Sequence, residues 1–132
     1  MSAQENKVIF IRFEEELGRG NLAIVDEVCS PNFRFYSPNS PNFPGGLAGA
    51  RLLVSRGASS SVVGKIEDLF AEGDKVAVRW TYNGIYRGDP RPGYPAPGER
   101  ITFGSMIYRF ANGKIEEDWG VDALSVSPDP WT

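Results

Sequence analysis

Four carboxylates and a tryptophan stand close together near the end of the chain, in the stretch NGKIEEDWGVD from Asn112 to Asp122. Read as an alternating strand, it puts Glu116, Asp118, Gly120 and Asp122 on one face, provided no bulge intervenes. Ile115, Glu117, Trp119 and Val121 then take the other. At roughly 3.3 Å per residue, Asp118 and Asp122 lie about 13 Å apart, too far to share a proton, and Glu116 and Asp118, at about 7 Å, meet only through a water. The strand therefore offers one acid–base residue, Asp118 or Asp122, that needs partners from other elements. Facing apolar surroundings, such a carboxyl has its pKa raised into a range useful for proton transfer. The plainer readings are a solvated strand residue for Asp118 and a tether of the C-terminal tail for Asp122.

Tyr36, Tyr82 and Tyr108 could donate hydrogen bonds to a developing enolate oxygen, or simply pack as amphipathic core and rim. Arg12 could hold a carboxylate or enolate through two parallel hydrogen bonds, unless it is an ordinary surface helix arginine. Trp80 and Trp119 read as core, Trp119 also as a platform for a ligand. Glu14, Glu15 and Glu16 read as a charge run on an exposed helix face. Histidine is absent from the chain, which removes the usual base near neutral pH, the Ser-His and Cys-His pairs and most zinc sites. Acid–base chemistry must then fall to carboxylates or tyrosines. The single cysteine, Cys29, reads as a buried thiol in a helical pattern.

The elements that must position these residues follow from periodicity. Val8, Ile11, Phe13 and Leu17, with Ile9 and Phe10 alongside, recur at helical spacing from about Gln4 and stop at Gly18. Asn21 can cap a second helix over Leu22 to Cys29, and Leu47 to Arg56 reads as a third, stopped by Gly57 before a Ser-rich connector. Phe33 to Tyr36 alternates like a short strand. From Val62 the period becomes two, with strands near Lys65–Ala71, Lys75–Tyr86, Arg100–Phe110 and Lys114–Val121. Glu72-Gly73-Asp74 and Asn112-Gly113 read as tight turns, and the proline-rich Arg87 to Glu99 as a long loop between paired strands. Helices first and antiparallel strands last make an α+β domain, helices packed on one sheet, spanning residues 1–132 with a tail from 123.

On the second of these strands Val76, Val78, Trp80, Tyr82 and Tyr86 share a face. On the next, Ile101, Phe103 and Ile107 oppose Met106, Tyr108 and Phe110. Both faces of that strand are apolar, so one is expected to meet the helices and the other a second copy of the chain, a homodimer through the sheet face. A net charge of −3 without a basic cluster argues against nucleic acid. No apolar leader or bilayer-length run appears, which argues against membrane insertion and makes the cytoplasm the default location.

The stretch AEGDKVAVRWTYNGIYRG (71–88), a Gly/Pro loop, ITFGSMIYRFANGKIEEDWGVDAL (101–124) and a short tail together resemble the SnoaL-like polyketide cyclase family. That family belongs to the nuclear transport factor 2 superfamily, with ketosteroid isomerase and limonene epoxide hydrolase. The resemblance runs from about Asn6 to Leu124 and is most specific at Glu72–Val76 and Gly113–Asp122. It implies a cone-shaped, strongly bent sheet enclosing a pocket against three helices. It also implies a cofactor-free aldol closure of a polyketide ester, with an aspartate moving the proton. Family members often have histidine where Tyr36 and Asp118 stand here. An ungapped count from Gly113-Lys-Ile puts the cyclase aspartate on Gly120, whereas a two-residue gap puts the cyclase Asp-Trp pair on Asp118-Trp119. The cyclase histidine one strand earlier falls near Met106.

The expected function is cyclisation or isomerisation of a small hydrophobic, oxygenated, polyketide-like molecule. Asp118, Asp122 and Tyr36 form the catalytic set, and Arg12, Tyr82, Tyr108, Trp119 and Met106 the substrate-binding set. The alternatives are a non-catalytic ligand-binding or dimeric interaction module of the same fold, favoured by the missing histidines, and an epoxide hydrolase of the limonene epoxide hydrolase type.

Overall fold

The computed structural model describes residues 2–38, 41–58, 62–86 and 98–124; at 56–58, 62–64, 82–86, 98–102 and 121–124 it describes the backbone alone. The Ser-rich connector, most of the proline-rich loop and the end of the tail lie outside the described residues.

Helix α1 (Ala3–Arg19) starts at a capping box: Ser2 Oγ accepts from the Glu5 N–H at 3.1 Å, and Glu5 Oε1 accepts from the Ser2 N–H at 3.3 Å. It ends where Gly20, at φ 70°, turns its N–H back onto the last carbonyls. The buried stripe is Asn6, Phe10 and Phe13, with Leu17 packed beside it, while Val8 and Ile11 are exposed. The expected stripe through Val8 and Ile11 is therefore rotated about the axis. The two phenylalanines bury more apolar surface than the β-branched residues, and they decide which face turns inward.

Helix α2 (Ala23–Val28) is short, and Asn21 Oδ1 accepts from the Ala23 N–H at 3.1 Å. Cys29 is not its last residue but the first of strand β1 (Cys29–Tyr36), although it is buried as expected. Helix α3 (Gly46–Ala58) runs past Gly57. Arg12 to Glu27, at 2.5 Å, ties α1 to α2, and Arg51 to Asp26, at 2.7 Å, ties α3 to α2. All four side chains are exposed enough for these pairs to add little stability.

Strands β2 (Val62–Glu72), β3 (Lys75–Tyr86), β4 (Gly98–Ala111) and β5 (Lys114–Leu124) are joined in antiparallel order, and β1 adds to β5 in parallel. The α+β architecture is as expected, with helices against a five-stranded mixed sheet ordered β1-β5-β4-β3-β2. The parallel join arises because the chain crosses back through α3 between β1 and the later strands. Asn112 and Gly113, at φ 53° and 74°, form the β4–β5 turn that the Asn-Gly pair predicts.

Val76, Val78 and Trp80 of β3, Tyr108 and Phe110 of β4, Ile115 of β5 and Phe33 of β1 bury against α1 and α3. On the outer face a single row crosses all five strands in register: Tyr36, Trp119, Ile107, Ala77 and Phe70. Trp119, Ile107 and Phe70 are 50%, 47% and 68% exposed, an apolar belt left in water.

Candidate active site

One extra residue in β5 sets the site. Tyr108 pairs with Asp118 and Arg109 with Glu117, but Phe110 pairs with Ile115, so Glu116 is bulged out of the ladder. The bulge reverses the alternation, and Ile115 and Asp118, three residues apart, both face the core. The expected split that placed Ile115 opposite Asp118 is corrected accordingly.

Asp118 is 3% exposed, and its Oδ1 has no hydrogen-bond partner. Tyr108, directly opposite on β4, packs against Phe10 of α1 with ring centroids 4.8 Å apart and planes tilted by 51°. Its hydroxyl donates to Met106 Sδ at 3.2 Å and lies close enough to the carboxyl groups of Asp118 and Glu14 to lower the pKa of each. Glu14 lies one turn beyond Phe10 on the same face of α1, part-buried. Burial pushes its carboxyl up from 4.5 to about 7, with the Tyr108 hydrogen bond pulling the other way. Burial also raises Asp118 well above the ordinary aspartate range, the negative charge of Glu14 adds to it, and Tyr108 again opposes. The neighbouring Cys29 thiol is pushed up to about 12, by burial first; the Lys114 cation opposes, while Asp118 and Asp26 add to the rise. It stays a neutral thiol.

Glu14 is thus not part of a solvated charge run. Sequence reading placed it outside with Glu15 and Glu16, as one run of like charges. The spacing Phe10, Phe13, Leu17 carried the correct signal, since residue 14 falls inside that stripe.

Tyr108 and Asp118, from the expected sets, come together with this glutamate. Met106, part-buried, lies beside them. Tyr36 and Trp119 do not join them. They stack on each other on the outer face, with centroids 4.0 Å apart and planes at 18°, and Trp119 Nε1 donates to Glu117 Oε2 at 2.9 Å. After the bulge the odd-numbered residues of β5 point outward, and β1, in register with them, carries Tyr36 outward too. Arg12 is held by Glu27 on the outer side of the helices. The side chains of Asp122 and Tyr82 lie outside the described residues, although their backbones pair with Gly104 and Thr102.

The two positions on which the resemblance placed a cyclase's aspartate and histidine, Gly120 and Met106, are direct cross-strand partners. Neither can move a proton. Among the described residues no three of Cys, Asp and Glu come together as metal ligands, and no helix is long and apolar enough to cross a membrane.

Comparison with known proteins agrees with this fold. Among solved structures, TsrD from Streptomyces laurentii is 26% identical with a TM-score of 0.73, covering 95% of this chain and 91% of its own. A SnoaL-like polyketide cyclase from Agrobacterium tumefaciens strain C58 is 18% identical with a TM-score of 0.71, covering 87% of this chain and 88% of its own. An NTF-2-like protein of unknown function from Burkholderia xenovorans LB400 shares the fold at 14% identity, with a TM-score of 0.71 and coverage of 99% and 92%. No curated protein matches the chain. The family model described as SnoaL-like polyketide cyclase matches residues 8–126, and with nearly the whole fold inside that match, the chain belongs to the SnoaL-like polyketide cyclase family.

Proposed function

We propose that the protein is a cofactor-free cyclase or isomerase acting on a small, hydrophobic, oxygenated molecule such as a polyketide-like ketone or ester, bound between α1 and the inner sheet face. The observation that carries this reading is Asp118: a buried carboxyl with one oxygen unpartnered, facing a tyrosine hydroxyl across the strand pair. Burial favours the protonated form of such a group, and the protein offers nothing for Oδ1 to bond. A carbonyl oxygen placed there would accept a hydrogen bond from the Asp118 carboxyl as negative charge develops on it, which stabilises an enolate. The apolar core that holds Phe10, Phe35 and Val78 keeps that interaction in a low dielectric.

The test is α-proton exchange into deuterated water, measured over a panel of bicyclic ketones and β-keto esters, with Asp118→Asn and Asp122→Asn beside the parent chain. Loss in Asp118→Asn supports the reading, and unchanged rates in both variants would sink it.

We also propose that the chain works as a homodimer through the outer sheet face. A two-fold axis near Ile107 would lay the row from Tyr36 to Phe70 onto its own copy, apolar on apolar. Two of the charged pairs flanking the row are already made within the chain, Arg79 with Asp68 at 2.7 Å and Arg109 with Glu117 at 3.1 Å, which lowers the cost of desolvating those groups on association.

A further inference from the structure

The proposed function leaves one group without a role, the inward-turned Glu14, and leaves the reaction without a base. One hydroxyl proton on Tyr108 cannot satisfy Glu14, Asp118 and Met106 Sδ together. Two ionised carboxylates at one hydroxyl would also repel each other in a medium that screens poorly. The arrangement is relieved when one carboxyl keeps a proton and the other gives its proton up. Depth decides which. Asp118 sits on a central strand with almost no exposure, whereas Glu14 is on a helix and only part-buried. The shallower carboxylate is better solvated and ionises first.

From this geometry we infer that Glu14 is the catalytic base of the site, paired through the Tyr108 hydroxyl with Asp118 as its acid. The inference rests on the reading of Asp118 given above. In the step it describes, the Glu14 carboxylate takes a proton from the carbon next to a carbonyl. The C–H electron pair becomes the C=C bond of the enolate, and the carbonyl oxygen takes up the negative charge against the Asp118 carboxyl. In an isomerisation the proton on Glu14 then returns to a different carbon of the same molecule. In a cyclisation the enolate carbon instead attacks a second carbonyl, whose new alkoxide takes the proton from Glu14. Either way both carboxyls end as they began.

The groups facing this pair are Tyr108 from β4 and, beyond Asp118, the neutral Cys29 thiol from β1 with Lys114 and Asp26 behind it. No cation among them neutralises Glu14.

The experiment is a side-chain carboxyl NMR titration of the full chain carrying labelled Asp and Glu, in the parent, Glu14→Gln, Asp118→Asn and Tyr108→Phe. It needs no substrate. Glu14 is expected to titrate before Asp118, and in Glu14→Gln the midpoint of Asp118 should fall by about one unit, since a like charge has been removed. Asp118 titrating first, or not moving in Glu14→Gln, overturns the pairing.

The second arm is α-proton exchange of 2-tetralone against pH. Glu14→Gln should slow exchange about 100-fold or more and abolish the acidic limb of the profile, and Glu14→Asp should restore that limb in part. If Glu14→Gln exchanges normally while Asp118→Asn does not, the base is elsewhere and the role of Asp118 stands. If both exchange normally, the proposed function itself falls. Glu14→Gln keeps the size of the side chain, and an unchanged Phe10–Tyr108 ring contact by NMR confirms that the site is intact.

Discussion

Met106 on β4 and Gly120 on β5 face each other across the ladder, and the Met106 side chain occupies the space beside Gly120: a Cβ added at 120 would lie 2.8 Å from Met106 Cγ. The methionine fills what the missing side chain leaves and brings its sulfur to the Tyr108 hydroxyl. The carboxylate and its hydroxyl partner, Asp118 and Tyr108, lie two residues further along the same two strands.

Gly120→Ala should therefore destabilise the fold by about 1–3 kcal/mol through overpacking. The same change in a Met106→Ala background should cost at least about 1 kcal/mol less, because the two sites share one space. Urea denaturation of the four chains gives the coupling, and strict additivity would show that Met106 moves aside freely.

Asp118→Asn should lower α-proton exchange by about 100-fold to 10,000-fold, the usual scale for losing a positioned acid or base. The amide is near in size and needs no ionisation, so thermal stability at neutral pH should hold or rise. Parallel rate and melting measurements separate lost chemistry from lost folding.

Stability should fall as pH rises through the range in which folded Glu14 keeps a proton that the unfolded chain has released, from 4.5 to about 7. Above that window its contribution is flat, and Asp118 acts in the same sense. The carboxylates with lowered pKa, Glu16 and Glu117 among them, act oppositely and only in acid. Melting temperature should thus drop between about pH 4.5 and about pH 7, and Glu14→Gln should remove up to about 3 kcal/mol of that fall. A chain whose stability is level across that range would contradict the burial of this pair.

Ile107→Glu, at the centre of the outer row, should convert a dimer into a folded monomer, read by sedimentation at micromolar concentration with circular dichroism as the control for folding. The exposed position allows the charge within about 0.5 kcal/mol for the single chain. A parent chain that already sediments as a monomer would remove the dimer.

The local rules were readable from the residues. Asn112-Gly113 demands positive φ and forms the turn; Val76, Val78 and Trp80 alternate into the core; the family motifs are carried by β3, β4 and β5. All of these depend on neighbours close in the chain, where period and turn chemistry act directly. What the sequence left open was parity and rotation. The bulge at Glu116 turns Asp118 and Ile115 to one side, and no residue type announces it. Which stripe of α1 faces inward was settled only when Phe10 found the Tyr108 ring, and that choice alone carried Glu14 inward. Tyr36 and Trp119 were sent to the outer face by the same register. Packing at a distance, where a few large rings outweigh several small aliphatic residues, decided which carboxylates meet, and so where the chemistry can lie.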